Sequence, residues 1–593
     1  VEKPLVLSAQ VAVIGGGLGG VAAALAACES GLTVVMSEPT PWIGGQITSQ
    51  AVSALDEHRY IETFGGTATY MQLRNLIRRR YAEVYRVPLQ MPDGAPLNPG
   101  SGWVSRLCFE PQVGLDVLNA MLAEHREAGR LKVLLGFRPV RAQVRENRIA
   151  EVALAGPGEE IITLRAEYFL DATELGDLMP LAGIPYVTGA EAVEDTGEPD
   201  ASRDGPHPER VQSFTHCFLV EYRPGEDHTI PKPAGYERWR DEQPFSLVLR
   251  TRGGGRRRFF MFEGDLPFWT YRRVWDAGLF RSPHRPYDIA LINWDSNDYY
   301  RETILDRSLE DQKRIFAQSR ELSLSFLYWL QTEAPHDDDR GCGFPGLRLL
   351  TEAVGTPDGL SMFPYIREGR RVVGRRRVTE QDVIARGDGR ARAVHFSDSV
   401  GVGWYPIDLH RCVNDGGVKV DLPESLPFQI SLGMLLSPAV ENWIAAGKCL
   451  ATTHLTNGCY RLHPVEWNVG EAAGALAAWC VSQAVTPERV WSMPALRRGY
   501  QRALLERGIP LVWAVDLPPG APGFVEVQMA LVERGLMPGS ARDLRLEAAP
   551  DAPLEMTEAE WIAGGELPDG DWSQPAERTL RRLSRALLEC TRR

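Results

Sequence analysis

Three glycines and one acid near the N-terminus have the types and spacing that hold a dinucleotide. Gly15, Gly17 and Gly20 form G-x-G-x-x-G, and Glu38 follows about twenty residues on. Gly15 permits a tight turn from strand to helix, and Gly17 lets the backbone approach a pyrophosphate with no side chain between. Gly20 lets the helix pack against the strand, and the helix N-terminus supplies N–H donors and partial positive charge. Glu38 is placed to accept hydrogen bonds from an adenosine ribose.

The surrounding residues must form the elements that position this turn. Val11 to Ile14 is a continuous apolar run, as in a strand buried on both faces, and is read as such rather than as a signal peptide. Val21 to Glu29 is an Ala-rich helix that Ser30-Gly31 closes. Leu32 to Met36 is a second buried strand, with Glu38 at its end. A strand at 132–136 and a meander with turns near Asn147 and Gly156-Pro157-Gly158 come later, before a last strand at Tyr168 to Leu170.

Several segments then carry a family resemblance. Trp42-Ile43-Gly44-Gly45-Gln46 resembles the loop with which FAD enzymes of the glutathione-reductase and fumarate-reductase type reach the flavin half of the cofactor. Asp171-Ala172-Thr173-Glu174-Leu175-Gly176 resembles their second signature, with Glu174 where a Gly is more usual. Ile444 to Ala446 reads as a short strand before Gly447, with Lys448 where many relatives place an acid. Gly470-Glu471-Ala472-Ala473-Gly474 then reads as the opening of a helix whose N-terminus stabilises reduced flavin. Pro364 to Arg371 and Thr379 to Val383 complete the likeness. The chain therefore resembles the broad FAD-dependent oxidoreductase family over most of residues 8 to 485. The resemblance implies FAD as cofactor, held by Gly45, Gln46, Ala172, Thr173, Gly447, Asn468, Gly470, Glu471, Ala472 and Ala473 besides the N-terminal turn.

Flavin chemistry needs a substrate C–H near N5 and often a base for the departing proton. Arg461 and His463, with Glu466 and Asn468 beside them, lie just before the Gly470 segment. A His titrates in the range for proton abstraction near neutrality, and an Arg can polarise a carbonyl or bind a carboxylate. His58 is the second candidate base, and Cys108 and Cys459 are thiols that could face the flavin.

Composition bounds the rest. At 593 residues, 44% hydrophobic and 24% charged, the chain is expected to fold as two or three globular domains. The expected fold is α/β: a discontinuous Rossmann-like FAD-binding domain at 8–185 and 341–485, an inserted aromatic-rich α+β substrate domain at 186–340, and a small helical C-terminal module at 486–593. A formal charge of -13 argues against a nucleic-acid partner. No apolar stretch approaches a membrane span, so a small-molecule substrate is the expected partner, and a homo-oligomer is left open. Nine scattered cysteines without a C-x-x-C pair suit a reducing, cytoplasmic setting. No metal is expected; His336-Asp337-Asp338-Asp339 reads as an exposed acidic loop. Gly253-Gly254-Gly255 reads as a mobile hairpin or loop. The function expected is a dehydrogenase or oxidase taking hydride from a small organic substrate. The alternatives are a flavin monooxygenase and, because 523–560 faintly resembles a surface-layer-homology repeat, a wall-associated protein with a vestigial flavin fold.

Overall fold

The computed structural model describes residues 5–158, 160–250, 255–387, 389–414 and 422–592. Gly253 and Gly254, in the expected hairpin, lie outside the described residues, but the strands Val248–Arg250 and Arg256–Arg258 on either side do pair antiparallel.

A seven-stranded sheet carries the N-terminal turn. Strand β1 (Leu5–Ile14) leads into helix α1 (Leu18–Glu29), followed by β2 (Val34–Glu38) and, after two helices, β3 (Leu131–Leu135). The meander is β4 (Arg138–Arg145), β5 (Arg148–Ala155) and β6 (Ile161–Asp171). The strand order is β3-β2-β1-β6-β5-β4. β1, β2, β3 and β6 run parallel, which puts their C-terminal ends, and the loops after Ile14, Glu38 and Asp171, on one edge. That edge is where an open parallel sheet binds its ligand. Val11 to Ile14 are fully buried, as the unbroken apolar run requires.

A second, antiparallel sheet stands over this edge. It is built from β7 (Phe218–Tyr222), β8 (Arg273–Trp275) and β9 (Ile289–Ile292), the long helix α2 (Leu309–Thr332) and β10 (Leu347–Leu349), in the order β8-β9-β7-β10. Its own apolar core holds Trp239, Phe268, Trp294, Phe326 and Trp329, so most of the aromatic-rich region is packing. β10 lies beyond residue 340, where the inserted region was expected to end.

The chain then returns to the first sheet. β11 (Ser399–Gly403) pairs with β12 (Phe428–Ser431), and β13 (Trp443–Ala445) joins the cofactor sheet parallel to β6. Helices α3 (His454–Tyr460) and α4 (His463–Gln483) follow, and six further α-helices of four turns or fewer, with one short 3-10 turn, complete the described chain. The C-terminal segment is helical, as expected, but it shares the core of the cofactor sheet: Val527, Leu531 and Leu583 belong to the same buried cluster as Val11 and Leu476. Gln528 ties it down by accepting from the Leu511 and Val512 N–H groups. No helix among the described residues is long and apolar enough to cross a membrane.

Candidate active site

The glycine turn forms as its spacing requires. Gly15 adopts φ +102°, a left-handed conformation that favours glycine. A Cβ on Gly20 would stand 2.0 Å from the Gly15 carbonyl oxygen, so only glycine lets α1 seat on the turn. Glu38, buried at the end of β2, accepts from the Gly16 N–H at 3.0 Å through Oε2 and from the Thr40 N–H and hydroxyl through Oε1. A second lone pair on Oε2 is thereby left for a hydroxyl donor. Burial pushes the Glu38 carboxyl up to about 7, against those hydrogen bonds. Gly15, Glu38, Gly45, Gln50, Ala172 and Thr173 line one cavity of about 260 Å³ along the sheet edge.

Deeper in this cradle lie charged side chains of the chain itself. A Cβ on Gly17 would stand 2.7 Å from Glu174 Oε1, and one on Gly45 2.6 Å from the same atom. Glu174 therefore fills the space before both glycines, where its Oε1 is buried with no partner. Its other oxygen is bonded to the Lys448 ammonium, which also stands 3.7 Å from Glu466. Glu466 Oε1 in turn accepts from the Gly19 N–H at 3.3 Å, in the first turn of α1. Gln46 bonds Glu466 and the Arg461 carbonyl through Nε2, while its Oε1 is buried and unpartnered. Gly447 packs at ordinary contact on the Ala172 backbone, 3.6 Å from a built Cβ.

Helix α4 begins at His463, two turns earlier than the sequence pattern suggests, because Pro464 suits a first helical turn. Gly470, Glu471, Ala472 and Ala473 therefore lie inside the helix and cannot offer an N-terminus to flavin. A Cβ on Gly470 would stand 1.9 Å from the Gly19 carbonyl oxygen, so this glycine, with Gly474, lets α4 cross α1 at close range. Glu471 accepts from the Thr69 hydroxyl at 2.7 Å, and the Ala472 carbonyl accepts from Tyr500. Ala473 is fully buried in the same core. Asn468 clamps β11, accepting from the Val402 N–H and donating to the Val400 carbonyl. In this structure these five positions pack the helix crossing and anchor β11. The N-terminus of α4 is formed instead by Leu462 to Glu466.

The candidate bases fall in two unlike places. His463 is wholly buried; Nδ1 accepts from the Asp56 N–H at 3.0 Å and Nε2 donates to the Val52 carbonyl at 3.1 Å. Both ring nitrogens are used by backbone, and burial pulls its pKa down to about 4. His58 packs edge-on to Trp513, with burial pulling it down to about 3. Both His58 ring nitrogens are buried without a hydrogen-bond partner, and neither histidine lines the cofactor cavity. Cys108 and Cys459 point to the carbonyls of Ser105 and Thr456.

Arg461 does face a cavity. This second one, about 240 Å³, is lined by residues from the 46–56 loop, the antiparallel sheet and the segment before β12. Arg461 donates to the Tyr365 hydroxyl at 2.8 Å and pairs with Asp408 at 3.1 Å. Arg272 pairs with Asp56 at 3.0 Å, and Arg367 with Asp298 at 3.0 Å. His410 places Nδ1 2.6 Å from Asp298 Oδ2 and Nε2 3.3 Å from Asp408. Two hydrogen bonds tie the lining of one cavity to that of the other: Gln46 bonds the Arg461 carbonyl, and Gln50, in the first lining, accepts from the Ile366 N–H, next to Tyr365 of the second. Sequence motifs gave no sign of Arg272, Tyr405, Asp408 or His410. Arg367 lay in the Pro364 to Arg371 stretch, but with nothing to mark its role.

A family model for FAD dependent oxidoreductases matches residues 10–501. The chain belongs to the FAD-dependent oxidoreductase family. A comparison with curated proteins found no match. Among solved structures, p-nitrophenol 4-monooxygenase PnpA from Pseudomonas putida is 10% identical over 99% of this chain and 98% of its own, with a TM-score of 0.32. A geranylgeranyl bacteriochlorophyll reductase-like protein from Thermoplasma acidophilum is 10% identical over 91% and 95%, with a TM-score of 0.33. L-proline dehydrogenase from P. horikoshii is 15% identical over 32% of this chain, which spans about a quarter (25%) of that protein, with a TM-score of 0.16. Scores this low carry no argument about chemistry.

The residues of this FAD-dependent oxidoreductase fit its cofactor. Glu38 keeps an acceptor for a ribose hydroxyl, and the first turn of α1 already draws a carboxylate, as an anion site does. The unpartnered Gln46 Oε1 is an acceptor in wait for a donor. Lys448 is the cation within reach of the pyrophosphate site. FAD, when bound, supplies the two-electron acceptor; the chain supplies the cradle and the second cavity.

Proposed function

We propose that this flavoenzyme is a dehydrogenase or oxidase that takes a hydride from a small organic substrate held in the Arg461 cavity, with His410 as the base. One observation carries the reading. Asp298, itself buried, holds Nδ1 of His410 and so fixes the ring with Nε2 toward the cavity. A base oriented by a buried carboxylate on one nitrogen, with the other turned to the partly exposed Asp408 at 3.3 Å, can take a substrate proton once a hydroxyl displaces that contact. Arg461 remains a cavity residue in this reading, and His463 becomes a positioning residue that fixes Val52 and Asp56.

The test is anaerobic bleaching of the bound flavin by candidate substrates, with no nicotinamide present. His410→Ala is expected to slow reduction per bound flavin by roughly two to four orders of magnitude. An unchanged rate rejects His410 as the base. Flavin that bleaches only with a nicotinamide reductant favours the monooxygenase reading instead.

A further inference from the structure

The charge pattern of the second cavity identifies a class of substrate. We infer that it receives a neutral, polyhydroxylated molecule, a monosaccharide or cyclic polyol, and that a secondary alcohol of that molecule is oxidised. The inference rests on the reading above that this cavity is the substrate site.

Three buried guanidinium groups would ordinarily mark a site for a carboxylate or phosphate. Here each is already neutralised. Arg272 holds Asp56, Arg367 holds Asp298 and Arg461 holds Asp408, all at 3.0 to 3.1 Å. Asp295 adds a further acid to the lining. Among the described lining residues no cation lacks a carboxylate partner, so an anionic substrate would meet charge already balanced, or would have to displace a carboxylate to pair with it. Leaving a buried charge unpaired is costly.

A neutral polyol meets no such obstacle. Each Arg–Asp pair sets donors beside an acceptor, the complement of two neighbouring hydroxyls that both donate and accept. The Tyr405 phenol adds a further hydroxyl, and burial, helped by Asp56 and Asp408, pushes its pKa well up, keeping it a neutral donor. Trp294 and Tyr271, edge to face at 5.6 Å, give the same cavity an apolar side for a ring's C–H face. At about 240 Å³ the space is slightly below the range of roughly 300–1,000 Å³ usual for ligand pockets, which suits one ring and not a chain of several.

The step balances with the family's cofactor as oxidant. The carbinol C–H leaves as hydride to the flavin, the hydroxyl O–H bond breaks with its proton going to His410 Nε2, and the carbon–oxygen bond becomes a ketone.

Calorimetric titration of the FAD-loaded protein with myo-inositol, glucose and methyl glucoside, against lactate, malate and succinate, tests the class by binding alone. At least one polyol is expected to bind more tightly than every carboxylate. Asp408→Asn, which leaves Arg461 uncompensated, should weaken the polyol by roughly tenfold or more and improve a carboxylate. Tyr405→Phe, a milder change, should also weaken the polyol while the melting temperature stays near that of the parent. A carboxylate that binds the parent best, and is lost in Arg461→Met, overturns the substrate class but leaves the cavity as the site. If no polyol binds at tens of millimolar, the class is overturned. If a substrate reduces the flavin at a rate that Tyr405→Phe, Arg461→Met and His410→Ala all leave untouched, the site reading itself falls.

Discussion

The Lys448 ammonium is bonded to the Glu174 carboxylate directly in front of Gly17 and Gly45. The ion pair stands where the glycine turn invites a pyrophosphate, and Glu466 gives Lys448 a second acid at 3.7 Å. For the cofactor to seat, Glu174 must swing away and Lys448 must exchange a carboxylate for phosphate oxygens. Glu174→Gly, which restores the more usual residue of that signature, is therefore expected to tighten FAD binding by about tenfold. Lys448→Met should weaken it, by leaving two acids uncompensated beside the phosphates. Quenching of FAD fluorescence on titration into apoprotein measures both; weaker binding by Glu174→Gly would mean that Glu174 itself grips the cofactor.

Gly17 and Gly470 should fail in different ways when replaced by valine. A Cβ at Gly17 clashes with the flexible end of Glu174 alone, its other neighbours lying at ordinary contact, and φ −62° suits any residue. Gly17→Val is expected to fold with a near-parental melting temperature and to hold no FAD. A Cβ at Gly470 meets the Gly19 backbone oxygen at 1.9 Å, so Gly470→Val must force α1 and α4 apart. It is expected to give insoluble or molten protein, read by near-ultraviolet circular dichroism. A well-folded Gly470→Val protein that lacks only FAD would restore the cofactor role for that glycine.

Affinity for FAD should depend on pH through Glu38. Burial raises its carboxyl to about 7 in the apoprotein, and the ionised form is the stronger acceptor for ribose hydroxyls. Binding is thus expected to strengthen as pH rises from about 5.5 through 7 and then level off. Glu38→Gln should bind more weakly at neutral pH and lose this dependence. A parental affinity that is flat from pH 5.5 to 8 would exclude Glu38 as the linked group.

His463 should act on stability and not on rate. Its folded pKa, about 4, lies below the usual 6.5, so its contribution is full above 6.5 and is lost as pH falls toward 4. The size is up to about 3 kcal/mol for a shift of this extent. His463→Ala is expected to lower the melting temperature and to flatten this acid-side loss, while flavin reduction per bound flavin stays within about threefold of the parent. A fall of a hundredfold in that rate would return the base to His463.

The parts of this molecule that were legible in the sequence are those set by local backbone needs. Gly15, Gly20 and Glu38 announce themselves because a turn, a close helix approach and a ribose contact each demand one residue type within a short span. The apolar runs of β1 and β2 are equally local. The start of α4 was misplaced because Gly470 and Gly474 serve a helix crossing with α1, a contact more than 400 residues away that composition alone does not distinguish from a helix beginning. His410 and Asp298 were invisible for the same reason. Neither sits in a motif, and their meaning arises only when the loop before β12 closes on the antiparallel sheet. The family signature located the cofactor, whereas the Arg461 cavity is assembled from seven separated stretches of chain with no shared spacing.

β13 and α4 complete the cradle that β1 and α1 begin, and this orders events during synthesis. Gly19 packs against the Ala446 and Gly470 segments, neither of which exists until late in the chain, and Lys448 cannot screen Glu174 before it is translated. At ribosomal speeds of about 5–20 residues per second, the glycine turn waits roughly half a minute to a minute and a half for its other half. Cofactor loading is therefore expected to wait for β13 and α4, and a ribosome-held fragment that stops before residue 443 is expected to retain no FAD. Through that wait the early strands, parallel and lacking β13, are the stretch most in need of a chaperone.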